Sequence, residues 1–268
     1  MGFWDKFFKK KSEEIEKIDI PESWDFYICS IEDRPASYYL NLALRQVAPI
    51  ADKNKILWIE VKLNQPTEDG MSSPEEYDGL IELEDRLIPQ VEQALHAIYV
   101  GRLTHNGLRE FYFYVNENQY SESNIQKIIQ QEENYQINFG AKVDPEWSIY
   151  CDSIYPNAFA MQSIANIHIL ESLEQYGDVL TVKRPVEHWC YFKTSEDRDH
   201  FLQKIQERGF EIVEQSKNDE NENPYSIQIG RIDSVDLPSI NQVTWELLEL
   251  CIENNGEYDG WETPVIRN

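Results

Sequence analysis

The hydrophobic period of this chain switches between two and 3.6 residues in an order that occurs twice. In residues 56–63, Leu57, Ile59, Val61 and Leu63 fall on one face of a strand. Ser73-Pro74-Glu75-Glu76 then offers an N-cap serine, a proline at the first helical position and a capping-box glutamate. Leu80, Leu83, Leu87, Val91 and Leu95 continue at helical spacing, and Pro89 inside that run predicts a kink or a split. Residues 97–103 and 109–115 flank Asn106-Gly107, a pair suited to the positive φ angles of a tight hairpin. A short helix at 123–133 and a strand at 136–143 complete the order β-α-β-β-α-β.

The second occurrence begins near residue 186. Thr194-Ser195-Glu196-Asp197 starts a helix carrying Phe201, Leu202 and Ile205, which Gly209 stops. Strands at 210–214 and 225–232 surround the polar loop 217–223. Asp236 and Pro238 open a helix with Ile240, Val243, Leu247, Leu248 and Cys251 on its apolar face, Gly256 ends it, and 257–266 forms a last strand. Strands at 179–184 and 187–193, separated by Pro185, form either two pieces or one bent ribbon. A helix at 160–176, closed by Gly177, precedes them. Before the first unit, residues 24–31 and the alternation of Tyr38, Leu40, Leu42 and Leu44 around Glu32-Asp33-Arg34-Pro35 give a hairpin with one buried face. The expected class is α+β, with two ferredoxin-like (βαββαβ) domains whose antiparallel sheets are each backed by helices. The break in period between Asp144 and Pro156 separates a domain at 20–152 from one at 157–268, after a terminal segment at 1–19.

Charge narrows the partners. The chain carries 49 acidic and 24 basic side chains, a net −25. Residues 1–152 hold 28 acidic and 15 basic groups and residues 153–268 hold 21 and 9, so the acidity belongs to the whole surface and not to a tail. Such a field repels nucleic acid phosphates and favours encounter with a basic protein surface, although acidity also serves solubility alone. Direct nucleic acid binding is therefore not expected.

Few residues suggest chemistry. Cys29, Cys151, Cys190 and Cys251 are scattered, as buried thiols in a reducing cytoplasmic setting usually are. His96, His105, His168, His188 and His200 form no metal-binding spacing; His188 and Cys190 lie two apart on one strand but lack further ligands. Glu82, Glu84 and Asp85 read as a solvated helix face, and no phosphate or dinucleotide loop is present, so no catalytic residue, cofactor or metal is expected. A carboxylate-dependent hydrolase stays open as an alternative, since its pairing exists only in space. No apolar run is long enough to span a membrane. The basic and aromatic stretch Met1 to Lys11 leaves room for a peripheral membrane scaffold, although such a segment is more often a frayed terminal helix.

Tyr-Asp-Gly occurs at 77–79 and again at 258–260. The second copy, within Glu257-Tyr258-Asp259-Gly260-Trp261, places a glycine beside two large aromatics and suggests a bulge or a close backbone approach at the strand entrance. Tyr258, Asp259, Trp261 and Glu262 are the candidate partner-binding residues, against a structural reading in which Tyr258 and Trp261 seal the end of a core.

His188-Trp189-Cys190-Tyr191-Phe192, Arg208-Gly209-Phe210 and Gly256-Glu257-Tyr258-Asp259-Gly260-Trp261 resemble the regulator of ribonuclease E activity B (RraB) family over residues 160–268. That resemblance implies an acidic plait that inhibits an endoribonuclease by binding it or its degradosome, without cutting RNA. Glu262 stands where members often have glycine, and the long front half is additional. Trp24-Asp25-Phe26-Tyr27, Leu80-Ile81-Glu82 and Asp144-Pro145-Glu146-Trp147 are similar to the bacterial domain-of-unknown-function 695 family, which implies no activity.

Overall fold

A computed structural model of the protein describes residues 20–267. The stretch from Met1 to Lys11 therefore lies outside the described residues. The first sheet contains β1 (Trp24–Ile31), β2 (Arg34–Asn41), β3 (Lys55–Lys62), β4 (Ile98–His105), β5 (Leu108–Val115) and β6 (Gln136–Val143). Their lateral order is β1-β2-β4-β5-β3-β6, antiparallel throughout. The second sheet, formed by β7 (Arg184–Phe192), β8 (Glu211–Lys217), β9 (Tyr225–Asp233) and β10 (Gly256–Glu262), has the order β10-β7-β9-β8. Four strands of the first sheet and all four of the second thus follow the ferredoxin-like order. The β1-β2 hairpin extends the first plait at its β4 edge.

Helices α1 (Tyr77–Leu95) and α2 (Glu122–Ile129) cover one face of the first sheet. Leu83, Leu87, Val91 and Leu95 meet Leu57, Ile59, Val61, Phe111 and Phe113 there. Much of the opposite face is buried too. Ile56, Leu40, Val100 and Tyr114 pack beneath a 3-10 turn at Leu42–Gln46, a π-helical turn at Ile149–Ile154, and Ile164 of α3 (Ala158–Gln175). Alternate residues of β3 therefore enter two different cores, which is why Lys55–Lys62 is almost continuously apolar between its ends.

Several local expectations change. The alternation of Leu40, Leu42 and Leu44 predicts a strand through Leu44, but β2 stops at Asn41 and the next turn folds Leu44 over the sheet. Ser73 makes no cap, and Glu76 instead accepts the Asn64 and Gln65 backbone N–H groups at 2.7 and 2.9 Å. That interaction ties the start of α1 to the end of β3, and a 3-10 turn replaces the capping box. Pro89 does not split the element into two: α1 is one helix, and Pro89 sits on its exposed side, where the carbonyl left unpaired can meet water. Pro185 lies within a single strand, one residue from its end, where a missing donor is tolerated. The last strand stops at Glu262 before Pro264. Asn106 and Gly107, with φ of 50° and 79°, make the expected hairpin turn.

In the second unit, α4 (Ser195–Gln206) and α5 (Leu237–Glu253) cover one face of the sheet. Thr194 and Asp236 cap them by accepting the Asp197 and Ser239 N–H groups at 3.1 and 3.2 Å. Helix α3 joins the units. Ile164 enters the first core, while Leu170 and Leu173 pack with Val186, Val235, Ile240 and Trp261. Asn166, fully buried on α3, donates to Asn241 and Thr244 of α5 at 2.8 Å and accepts from Trp261 Nε1 at 2.8 Å. Gln162 Nε2 adds a fourth bond at 2.9 Å, so no polar valence of the Asn166 amide is left open.

The segment before β7 is held by a buried ion pair. Arg184 Nη1 meets Asp178 Oδ2 at 2.6 Å with both side chains fully enclosed, and the same oxygen accepts the Ile266 N–H at 2.7 Å. Burial pushes the Asp178 carboxyl up, but Arg184 and the Ile266 N–H outweigh it and hold the group below its ordinary value. As pH falls, the unfolded chain takes up this proton before the folded one. The stabilisation is complete above about pH 4 and is lost as pH drops through the depressed value. Asp178→Asn, which leaves Arg184 buried without its counter-charge, is expected to cost about 3–5 kcal/mol at neutral pH and to flatten the acid limb. Urea denaturation between about pH 3 and 7 measures both; a variant as stable as the parent would show that the pair does not clamp this segment.

Candidate docking face on the second sheet

The two sheets differ in what covers them. Helices cover one face of the first and turns with α3 cover much of the other, whereas the second has helices on one side only. Its inward residues alternate along β7 as Val186, His188, Cys190 and Phe192, all fully buried, leaving Glu187, Trp189 and Tyr191 half-buried on the outer side. Strand register extends this outer face. Gly260 and Glu262 oppose Trp189 and Glu187, Gln228 and Gly230 oppose Trp189 and Glu187 on the other side, and Glu211 and Glu214 oppose Gly230 and Gln228.

A bulge in β10 explains the Glu-Tyr-Asp-Gly-Trp sequence. Residues three apart on a regular strand face opposite ways, yet Tyr258 and Trp261 are both buried. The register shifts between Tyr258 and Gly260, and Gly260 has φ of 147°, a conformation that favours glycine. The extra residue turns Asp259 outward and returns Trp261 to the interior. The four candidate residues are thus divided: Asp259 and Glu262 stand on the exposed side, while Tyr258 and Trp261 lie within. Trp261 also walls a cleft of about 410 Å³ between α3 and the outer sheet, shared with Trp189, Tyr191 and Asp259. The first Tyr-Asp-Gly copy opens α1, so the two copies have different backbone roles.

On the inner side, the Tyr258 hydroxyl and His188 Nδ1 are 2.9 Å apart, and His188 Nε2 has no partner among the described residues. Burial, and secondarily Arg231, lowers the His188 pKa to about 3. Cys190 shares this core with Cys251, and burial raises its thiol pKa. No cluster of three or more metal-ligating side chains occurs among the described residues. His188 and Cys190 do face the same way, into packed core.

The outer face is acidic. Glu187, Glu211, Glu214, Glu257, Asp259 and Glu262 line it, and none joins an ion pair among the described residues. On the helix side the cations are already paired: Arg208 with Glu246 at 2.5 Å and Lys204 with Glu253 at 2.8 Å. Arg231 points inward over the Phe210 ring and bonds Asp233 at 2.8 Å. Apolar groups also lie on the outer face: Val213, 50% exposed on the β8 edge, and Ile232, 58% exposed opposite Pro185 at the far end of β9. A cleft of about 490 Å³ runs between Pro185, Glu187, Val213 and Gly230. Sequence reading named two of the three outward carboxylates of β10, Asp259 and Glu262. It missed Trp189, Tyr191 and the β8 and β9 residues, which become neighbours only through register.

Two family models match the chain. The model described as "Family of unknown function (DUF695)" covers residues 22–155. "Regulator of ribonuclease activity B" covers residues 163–263. The chain belongs to the DUF695 family, with a ribonuclease-regulator (RraB) match over the plait that bears the open face. No curated protein matches the chain. Among solved structures, an unknown protein from Galdieria sulphuraria is 10% identical with a TM-score of 0.22, covering 79% of this chain and 99% of its own. A protein provisionally assigned as a glycine cleavage system transcriptional repressor is 13% identical with a TM-score of 0.24, covering 80% and 98%. At those scores neither bears on fold or function. No helix among the described residues is long and apolar enough to cross a membrane.

Because the folded His188 resists protonation and the unfolded chain does not, its stabilising contribution is full above about pH 6.5 and declines as pH falls toward the depressed value. Long-range ¹H–¹⁵N spectra should show the His188 ring neutral down to about pH 4. Tyr258→Phe, which strips the ring of its one partner, should cost about 1–3 kcal/mol without altering the outer face. Titration of this ring near pH 6.5 in the folded protein would contradict the enclosed packing described for it.

Proposed function

We propose that this chain is a non-catalytic regulator that binds an endoribonuclease, or an assembly containing one, and lowers its activity on RNA. The observation that carries the reading is the ribonuclease-regulator match over residues 163–263, which falls on the plait with an uncovered acidic and aromatic face. Physical chemistry supports the same partner class. RNA-binding enzymes present basic surfaces to phosphates, and an acidic face competes for those surfaces while repelling RNA itself. The docking site in this reading comprises Asp259 and Glu262, with Trp189 and Tyr191 beside them, while Tyr258 and Trp261 shape the strand that presents them. A cytoplasmic location accords with partnership to an RNA-decay enzyme.

The test uses the full-length chain with purified endoribonucleases and degradosome components of its host. Inhibition of RNA cleavage should saturate near a fixed stoichiometric ratio and weaken as salt rises from about 0.05 to 0.5 M, where the screening length shrinks several-fold. The chain alone should leave the RNA intact. Absence of binding to every such component overturns the proposal, and so does turnover of RNA by the chain itself.

A further inference from the structure

The composition of the open face specifies more than negative charge. Trp189 and Tyr191 are successive outward residues of β7, and their side chains repeat at about 7 Å along the strand. Around them, Glu187, Asp259 and Glu262 carry no cation among the described residues. In the cleft beyond Tyr191, Asn223 Nδ2 donates to Glu257 Oε2 at 3.0 Å, while Asn223 Oδ1 is enclosed with no donor among the described residues. Acceptors therefore outnumber donors, beside two flat aromatic side chains.

A ligand suited to this surface brings an excess of N–H donors, a positive charge and a planar group. Guanidinium meets all three conditions: it has five donors in one plane, stacks on aromatic rings and is only weakly hydrated. An ammonium group has three donors, no plane and a tightly held water shell. Spacing adds a further condition. An extended segment lying along β7 presents every second side chain at the same repeat of about 7 Å as Trp189 and Tyr191. Phosphate chains fit none of these features, and the unpaired carboxylates repel them.

We infer that the open face of the second sheet receives an extended segment of a partner protein with arginines at alternate positions, their guanidinium groups stacked on Trp189 and Tyr191 and paired with Glu187, Asp259 and Glu262. The inference rests on the reading of the chain as a protein-binding regulator and supplies the chemistry of recognition. It distinguishes arginine from positive charge in general, and one face from the acidity of the whole molecule.

The experiment measures fluorescence anisotropy of the full-length chain with labelled twelve-residue peptides of alternating Arg-Ser and alternating Lys-Ser, and with a twelve-nucleotide single-stranded RNA. The Arg-Ser peptide should bind at least about tenfold more tightly than the Lys-Ser peptide, and the RNA should not bind. Trp189→Ala should weaken Arg-Ser binding about fivefold or more, and Trp189→Phe, which keeps a ring, by less. A triple variant, Glu187→Gln with Asp259→Asn and Glu262→Gln, alters only charge and should abolish the preference for arginine. The triple Glu68→Gln, Asp69→Asn and Glu75→Gln removes the same charge from exposed positions of the first unit and should change binding less than about twofold.

Equal affinity for the two peptides, equal loss in the two triple variants, or binding of the RNA in place of the peptide would each overturn the inference. The two proposals fail separately. Ribonuclease inhibition that survives in the sheet-face triple variant sinks this recognition chemistry and leaves the regulator reading standing. Arginine-selective binding with no ribonuclease inhibited does the reverse.

Discussion

Trp147 lies on Tyr114 with ring centroids 3.9 Å apart and planes within 9°, and three hydrogen bonds hold the chain around that stack. Tyr114 donates to Asp144 at 2.5 Å, Trp147 donates to the Lys53 carbonyl at 2.6 Å, and Asp144 accepts the Ser148 N–H at 2.9 Å. Burial raises the Tyr114 pKa, with Asp144 second, so the phenol stays protonated and able to donate. This anchored turn closes the second face of the first sheet. Once it is closed, the chain emerges at Tyr155 in position to start α3, whose first turns complete the same core and whose last turns enter the other.

Helix α3 has no single apolar face because it serves two cores, and its polar residues carry the specificity. Asn166 joins three elements through four hydrogen bonds. Buried without them it would be a liability of the kind that destabilises by several kcal/mol. Satisfied, it fixes the rotation of α3 against α5 and against the Trp261 edge of β10. His168 near the middle of α3 meets Asp25 of β1 at 2.8 Å, a more exposed contact of lesser weight. The position of the cleft between α3 and the open face therefore follows from one amide and one indole in the interior.

Most of the architecture was legible because periodicity is local: the order of elements in both plaits, the Asn106-Gly107 hairpin and the caps at Thr194 and Asp236 need only a few neighbouring residues. What was not legible depends on partners far along the chain. Glu76 has the spacing of a capping box, but it binds the end of β3 instead. Leu42 and Leu44 continue a strand pattern until a second core face, built a hundred residues later, gives them a better burial. The Asp144 to Pro156 stretch reads as a break because a π-helical turn has no simple period. For the open face, the carboxylates of β10 were visible in the Glu-Tyr-Asp-Gly-Trp run. Trp189 was not singled out, because only its alternation with buried His188 and Cys190 places it outside.

The distribution of charge in the second unit follows from the same division of faces. Its paired cations Arg184, Lys204, Arg208 and Arg231 serve the helix side or the interior, where they meet carboxylates that packing holds close. Within the four strands, no outward-facing position is basic. Six carboxylates without counter-ions on the face that carries Trp189 and Tyr191 repel one another, a modest strain that counts against the isolated fold. They also oppose pairing of the exposed aromatics and of the β8 edge, whose residues are exposed throughout, with a like-charged second copy. A cationic segment laid on this face would gain both the direct attraction and the relief of that repulsion, whereas a neutral apolar one would gain neither and would bury the carboxylates. An arrangement that is unfavourable in the free protein thus becomes selective on binding, and its selectivity is for charge of one sign in one geometry.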